Sequence, residues 1–221
     1  ALVGLKRKAD ALTEARVLVR DAEGSDQALH ALARILRTVD PDAALAAISS
    51  VAGGAAVDLL RAELLEQRGE EDAAVQAYER MLQVSGQRNL GSWRGLARVR
   101  SAQGRDSEFI RRISQGIEAP PRGLQPAELA QLLLLRGQSN EHRSAYEPAL
   151  SDYRRALEIL PKDPVALNNA AWLLASRLVP RDPARPDPKA EALTLVDRAL
   201  ELAPNVAQIH HTRSKILVAL E

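Results

Sequence analysis

Ala149-Leu150-Ser151-Asp152-Tyr153-Arg154-Arg155-Ala156-Leu157-Glu158-Ile159-Leu160-Pro161 is the stretch that decides the fold. Ala149, Tyr153 and Ala156 fall on one face of a helix, and Pro161 stops it. The same row returns as Ala192, Val196 and Ala199 before Pro204, and more weakly as Ala74, Tyr78 and Met81. Neighbouring helices carry a second pattern. Trp93-x2-Leu96-Ala97 precedes Gly104, and Leu167-x2-Ala170-Ala171-x2-Leu174 precedes a proline-rich stretch. Small residues let two helices approach, and large ones fill the gap beside them. Self-similarity of this kind is the mark of a repeat architecture.

Working outward, helical periodicity predicts helices over 2–22, 25–39, 42–52, 55–68, 70–84, 90–103, 105–118, 126–139, 143–160, 164–178, 188–202 and 205–220. Short turns between helices of this length make sequence neighbours antiparallel. Gly69 and Gly104 follow helical runs, as left-handed residues that end helices do. Pro161, Pro164 and Pro204 mark stops and starts, and Asp40-Pro41-Asp42 does the same earlier. Pro120–Gly123 and Pro180–Pro188 read as irregular surface loops. Aromatics make up only 3% of the chain, and its 46% hydrophobic content is mostly Ala and Leu. That balance favours helix over sheet.

These segments resemble tetratricopeptide repeats, a family with Trp, Leu and Gly/Ala in the first helix of each pair. Its second helix carries Ala, an aromatic, Ala and then Pro. The resemblance is fullest over 143–204 and extends from about 55. It implies an all-α, right-handed α-α superhelix, a solenoid of antiparallel helix pairs. It divides the chain into a degenerate repeat or N-terminal cap over 1–54, repeats over 55–204 and a capping helix over 205–221. Leu167–Ala175 with the later Asp187-Pro188-Lys189-Ala190 resembles bacterial repeats with a loop inserted inside the pair.

The pattern is broken over 105–118, where Phe109 and Gly116 replace the two alanines and predict a splayed or irregular pair. The 42–52 helix looks unpaired. In the last helix, Ile209, Ile216, Leu217 and Leu220 are set to pack on the preceding pair, with Arg213, Lys215 and Glu221 facing water.

The chain carries 30 basic and 29 acidic residues, a formal charge of +1, so it lacks the basic excess of a polyanion binder. Arg greatly outnumbers Lys, which reads as lineage bias or, as the alternative, an Arg-rich RNA-binding helical repeat. There is no cysteine, which excludes disulfides and thiolate chemistry. No apolar run approaches the ~18 residues of a membrane span, so no direct membrane insertion is expected. The chain opens at Ala1 without a signal-like stretch, as a mature form or a piece of a longer protein would. Either a bacterial cytoplasmic or a periplasmic location fits.

His30, His142, His210 and His211 lack metal-chelating spacing, and adjacent His210 and His211 point about 100° apart. There is no phosphate-binding loop and no nucleophile elbow at Ser49, Ser50 or Ser101. No catalytic residue, metal site, cofactor or small-molecule substrate is therefore expected. The acidic run Glu63, Glu66, Glu70, Glu71, Asp72 reads as a cation patch or as solvated helix ends. Trp93 fits the repeat's packing position. Trp172 turns toward the inner wall, because Ala171 and Leu174 take the packing rows.

The resemblance implies a non-catalytic scaffold or adaptor that binds a protein or peptide segment in a concave groove. The alternatives are the helical portion of a larger bacterial secretion or exopolysaccharide-export assembly and the RNA-binding repeat; self-association also fits. The groove rows carry over to Arg94, Arg98, Gln138, Asn168, Trp172, His211 and Lys215. Arg94 and Arg98 share a helix face, where they would either grip a partner carboxylate or pair with nearby acids. The Lys/Asn set of chaperone-clamping members is not present.

Overall fold

A computed structural model describes residues 41–49, 54–177 and 188–220, together with Asp10, Thr13, Glu14 and Val17, which are helical. The helix expected over 25–39, the remainder of that over 2–22 and nearly all of the 180–188 loop lie outside the described residues. The described elements are α1 (Pro41–Ser49), α2 (Ala55–Gln67), α3 (Glu71–Val84), α4 (Leu90–Ala102), α5 (Asp106–Glu118), α6 (Pro126–His142), α7 (Tyr146–Ile159), α8 (Pro164–Ser176), α9 (Pro188–Leu202) and α10 (Ala207–Leu220). No strand occurs among the described residues. The fold is all-α, as the Ala- and Leu-rich periodicity predicts.

The helix ends have local causes. Asp163 caps α8, its carboxylate accepting from the backbone N–H groups of Val165 and Ala166 at 2.9 Å each. Gln125 and Glu128 form a reciprocal capping box on α6. Pro126, Pro164 and Pro188 open α6, α8 and α9, where a missing N–H costs nothing. Gly69 and Gly104 adopt φ of 76° and 67°, the left-handed geometry expected of them.

The chain divides into two compact units, Ala1–Val99 and Arg100–Glu221, with α4 running from one into the other. In the first unit, α2 packs on α3 and buries Val57, Leu60, Leu64, Tyr78 and Leu82. The helix read as unpaired, α1, packs on α2 through buried Ala44 and Ile48. Arg68 reaches back to Asp42 at 3.0 Å.

In the second unit, α6 packs on α7 and α8 on α9, with α5 on α6 and α10 against both α8 and α9. The expectation of a splayed or irregular pair at 105–118 concerns how α4 and α5 meet; α5 by itself is a regular helix that buries Phe109, Ile113, Gly116 and Ile117. Phe109 fills core space that Ala would leave open. α10 departs from expectation. Ile209 and Ile216 are buried, but Leu217 and Leu220 are 37% and 45% exposed. Leu217 lies about 100° around the helix from Ile216, and Leu220 occupies the last turn. No helix among the described residues is long and apolar enough to cross a membrane.

Two glycines are required by packing. A Cβ on Gly95 would lie 2.2 Å from the Tyr78 ring, and one on Gly137 would lie 2.5 Å from the Tyr153 ring. Both tyrosines are fully buried and hydrogen-bonded through their hydroxyls, so neither ring can swing aside freely. Ala is the better helix former by about 1 kcal/mol. Overpacking a core costs about 1–3 kcal/mol. The clash should win: Gly95→Ala and Gly137→Ala are each expected to lower stability by about 1–2 kcal/mol in urea unfolding. Stabilisation by either substitution would contradict this packing.

Candidate partner-binding site

Arg94 and Arg98 lie in the first unit, both exposed on α4. Arg98 already grips a carboxylate, and it is the chain's own. Its Nε and a terminal guanidinium nitrogen each donate to Glu66 of α2 at 2.8 Å. Tyr78 of α3 donates its hydroxyl to the same carboxylate at 2.8 Å. Glu66 is thus held from two helices. Burial and then the Glu66 carboxylate push the Tyr78 phenol pKa up, and the hydrogen bond to Glu66 holds Arg98 in its charged form. The acidic run is therefore more than a solvated helix end: Glu66 pairs with Arg98, and Glu70 pairs with Arg68 at 2.8 Å.

Gln138, Asn168, Trp172, His211 and Lys215 lie in the second unit. Asn168 and Trp172 sit four apart on α8 and share a face, as do His211 and Lys215 on α10. α8 and α10 are in contact. Gln138 and Trp172 are partly exposed, and His211 and Lys215 are exposed. Asn168 is different. It is 6% exposed, its amide nitrogen donates to Asn169 at 3.3 Å, and its Oδ1 receives no hydrogen bond. Trp93, by contrast, is fully buried in the core.

Sequence reasoning passed over the Glu66–Tyr78 pair and its recurrence. Glu141 of α6 and Tyr153 of α7 repeat it, the Tyr153 hydroxyl donating to Glu141 at 3.0 Å. Burial, followed by Glu141, pushes the Tyr153 pKa up. The signal was available: both tyrosines follow their glutamates by the same interval of twelve residues.

Another polar cluster brings together Ser101, His142 and Asp106. Ser101 Oγ lies 2.9 Å and Asp106 Oδ1 lies 3.7 Å from one and the same ring nitrogen, Nδ1 of His142. A catalytic triad needs the hydroxyl and the carboxylate on opposite ring nitrogens, so this arrangement does not activate the serine. No group of three or more potential metal ligands occurs among the described residues.

Helix arrays of this kind are also found in solved structures. The tetratricopeptide-repeat protein TTC0263 of Thermus thermophilus superposes with a TM-score of 0.60 at 18% identity, over 88% of this chain and 100% of its own. This is a tetratricopeptide-repeat fold. A tetratricopeptide-repeat protein of Parabacteroides merdae gives a TM-score of 0.61 at 15% identity, covering 99% of this chain and 82% of its own. YrrB, described as a TPR protein with an unusual peptide-binding site, gives 0.51 at 17% identity over 90% and 99%. No family model and no curated protein matches the sequence. At these identities the likeness is one of tetratricopeptide-repeat fold.

Proposed function

We propose that the chain is a non-catalytic scaffold, each unit binding a protein segment along the row of groove positions on its helices. Arg94 and Arg98 form that row in the first unit. Gln138, Asn168, Trp172, His211 and Lys215 form it in the second. The observation that carries the reading is Trp172, partly exposed on α8 while Ala171 and Leu174 beside it are buried. Trp172 would supply apolar contact area of the kind enriched at binding hot spots. The peptide-binding site of YrrB, on the same fold, supports the class of partner.

A random dodecapeptide display library selected against the full chain tests this. Peptides should be recovered above a bare-surface control, and Trp172→Ala should weaken the best of them about tenfold, which corresponds to ~1.4 kcal/mol. Affinities unchanged by both Trp172→Ala and Asn168→Ala would place binding elsewhere. Recovery no better than the control would remove the reading.

A further inference from the structure

The two glutamate–tyrosine pairs differ in one respect. In the first unit the glutamate is closed by an arginine from the following helix; in the second that position is a tryptophan. The capping residues set the register. Asn89 accepts from the backbone N–H of Ser92 at the start of α4, as Asp163 accepts from Val165 and Ala166 at the start of α8. Counted from these residues, Arg98 and Trp172 occupy the same position, and so do Arg94 and Asn168. The glutamate and the tyrosine are likewise equivalent in the two units.

The consequence is electrostatic. Glu66 receives a phenol and a bidentate guanidinium. Glu141 receives the phenol of Tyr153 and, among the described residues, forms no ion pair. The Glu141 carboxylate thus keeps acceptor capacity and charge that no described cation meets. The tryptophan in the arginine's position adds an aromatic face, which attracts cations.

On the reading that the second unit binds a protein segment, we propose that this segment docks a lysine or arginine side chain at Glu141, beside Trp172, in the place Arg98 fills within the first unit. The partner supplies the cation that the chain supplies for itself elsewhere. Recognition is then by charge: a cationic N–H donor meets a carboxylate, and the Tyr153 hydroxyl fixes the carboxylate's orientation.

The test compares dodecapeptide pools selected on three full-length forms: wild type, Glu141→Gln and Trp172→Arg. Wild type should enrich Lys and Arg at one peptide position at least threefold over the naive library. Glu141→Gln keeps the shape and the hydrogen bond from Tyr153 but removes the charge, and should abolish that enrichment. Trp172→Arg should abolish it too, by closing Glu141 from within, and should leave the helical circular dichroism unchanged. Individual basic peptides should bind Glu141→Gln about tenfold more weakly than wild type, with a shallower dependence on salt. Recovery of neutral or acidic peptides by wild type, or basic enrichment that survives Glu141→Gln, overturns the proposal and leaves the scaffold reading standing. Recovery of no peptides by wild type overturns both.

Discussion

Asp152→Ala is expected to destabilise the second unit by about 3–5 kcal/mol. The Asp152 side chain is 4% exposed and receives Arg136 twice, at 2.9 and 2.5 Å, with Asn140 at 3.3 Å. Arg136 also donates to Ser114 at 2.9 Å, so one guanidinium ties α5, α6 and α7 together. Removing the carboxylate strands a guanidinium whose side chain is only 13% exposed. The loss measures that stranded charge, not the net worth of the pair, because desolvating two ions offsets most of their attraction. The double variant Arg136→Met/Asp152→Leu should therefore recover most of the lost stability. The chain has two tryptophans, Trp93 in the first unit and Trp172 in the second. In a Trp93→Phe background, Trp172 fluorescence follows the second unit through urea unfolding. A loss below 1 kcal/mol for Asp152→Ala, or a double variant less stable than the single one, would contradict this account.

The Arg136–Asp152 pair marks the boundary of what the sequence made legible. Helices are local objects, and their signals are local. α9 runs over 188–202 as read, because Pro188 starts it and the Ala192, Val196, Ala199 row persists to its end. Trp93 was placed in the core by its position in a first-helix pattern, and it is there. One reading failed: the 42–52 helix reads as unpaired, yet α1 packs on α2 and buries Ala44 and Ile48. Phe109, standing where the small Ala is expected, is buried in a regular α5.

The candidate site was legible as a row of positions but not as chemistry. Arg98 takes its place in the groove row from the resemblance to tetratricopeptide repeats. That its guanidinium is committed to Glu66, thirty-two residues earlier, depends on how three helices meet. Glu141 was passed over for the same reason. Its character comes from what the equivalent of Arg98 is, and the register counted from Asn89 and Asp163 exposes the exchange for Trp172. A charge met from across the fold leaves no periodic trace in a single helix.

Trp93→Ala should cost the first unit about 3–5 kcal/mol, the range for truncating a buried aromatic. Trp93 is fully buried, and its removal leaves a void in the core. A second effect adds to the cavity. Trp93 Nε1 donates to the backbone carbonyl of Gln87 at 2.9 Å, in the turn between α3 and α4. Gln87 has φ of 67°, a left-handed geometry that costs a non-glycine residue on the order of 1 kcal/mol. Its own N–H bonds to Leu82 at 2.6 Å, so the turn is secured from both sides. The contributions separate by substitution. Trp93→Phe keeps most of the burial and loses the hydrogen bond, and should cost at least about 1 kcal/mol. Gln87→Gly relieves the backbone while keeping that bond, and should be neutral or stabilising, since relief of strain opposes the added entropy of glycine. If Trp93→Ala and Trp93→Phe proved equally costly, the turn rather than the core would be what Trp93 secures; a loss under 2 kcal/mol for Trp93→Ala would contradict its role as a principal packing residue of the first unit.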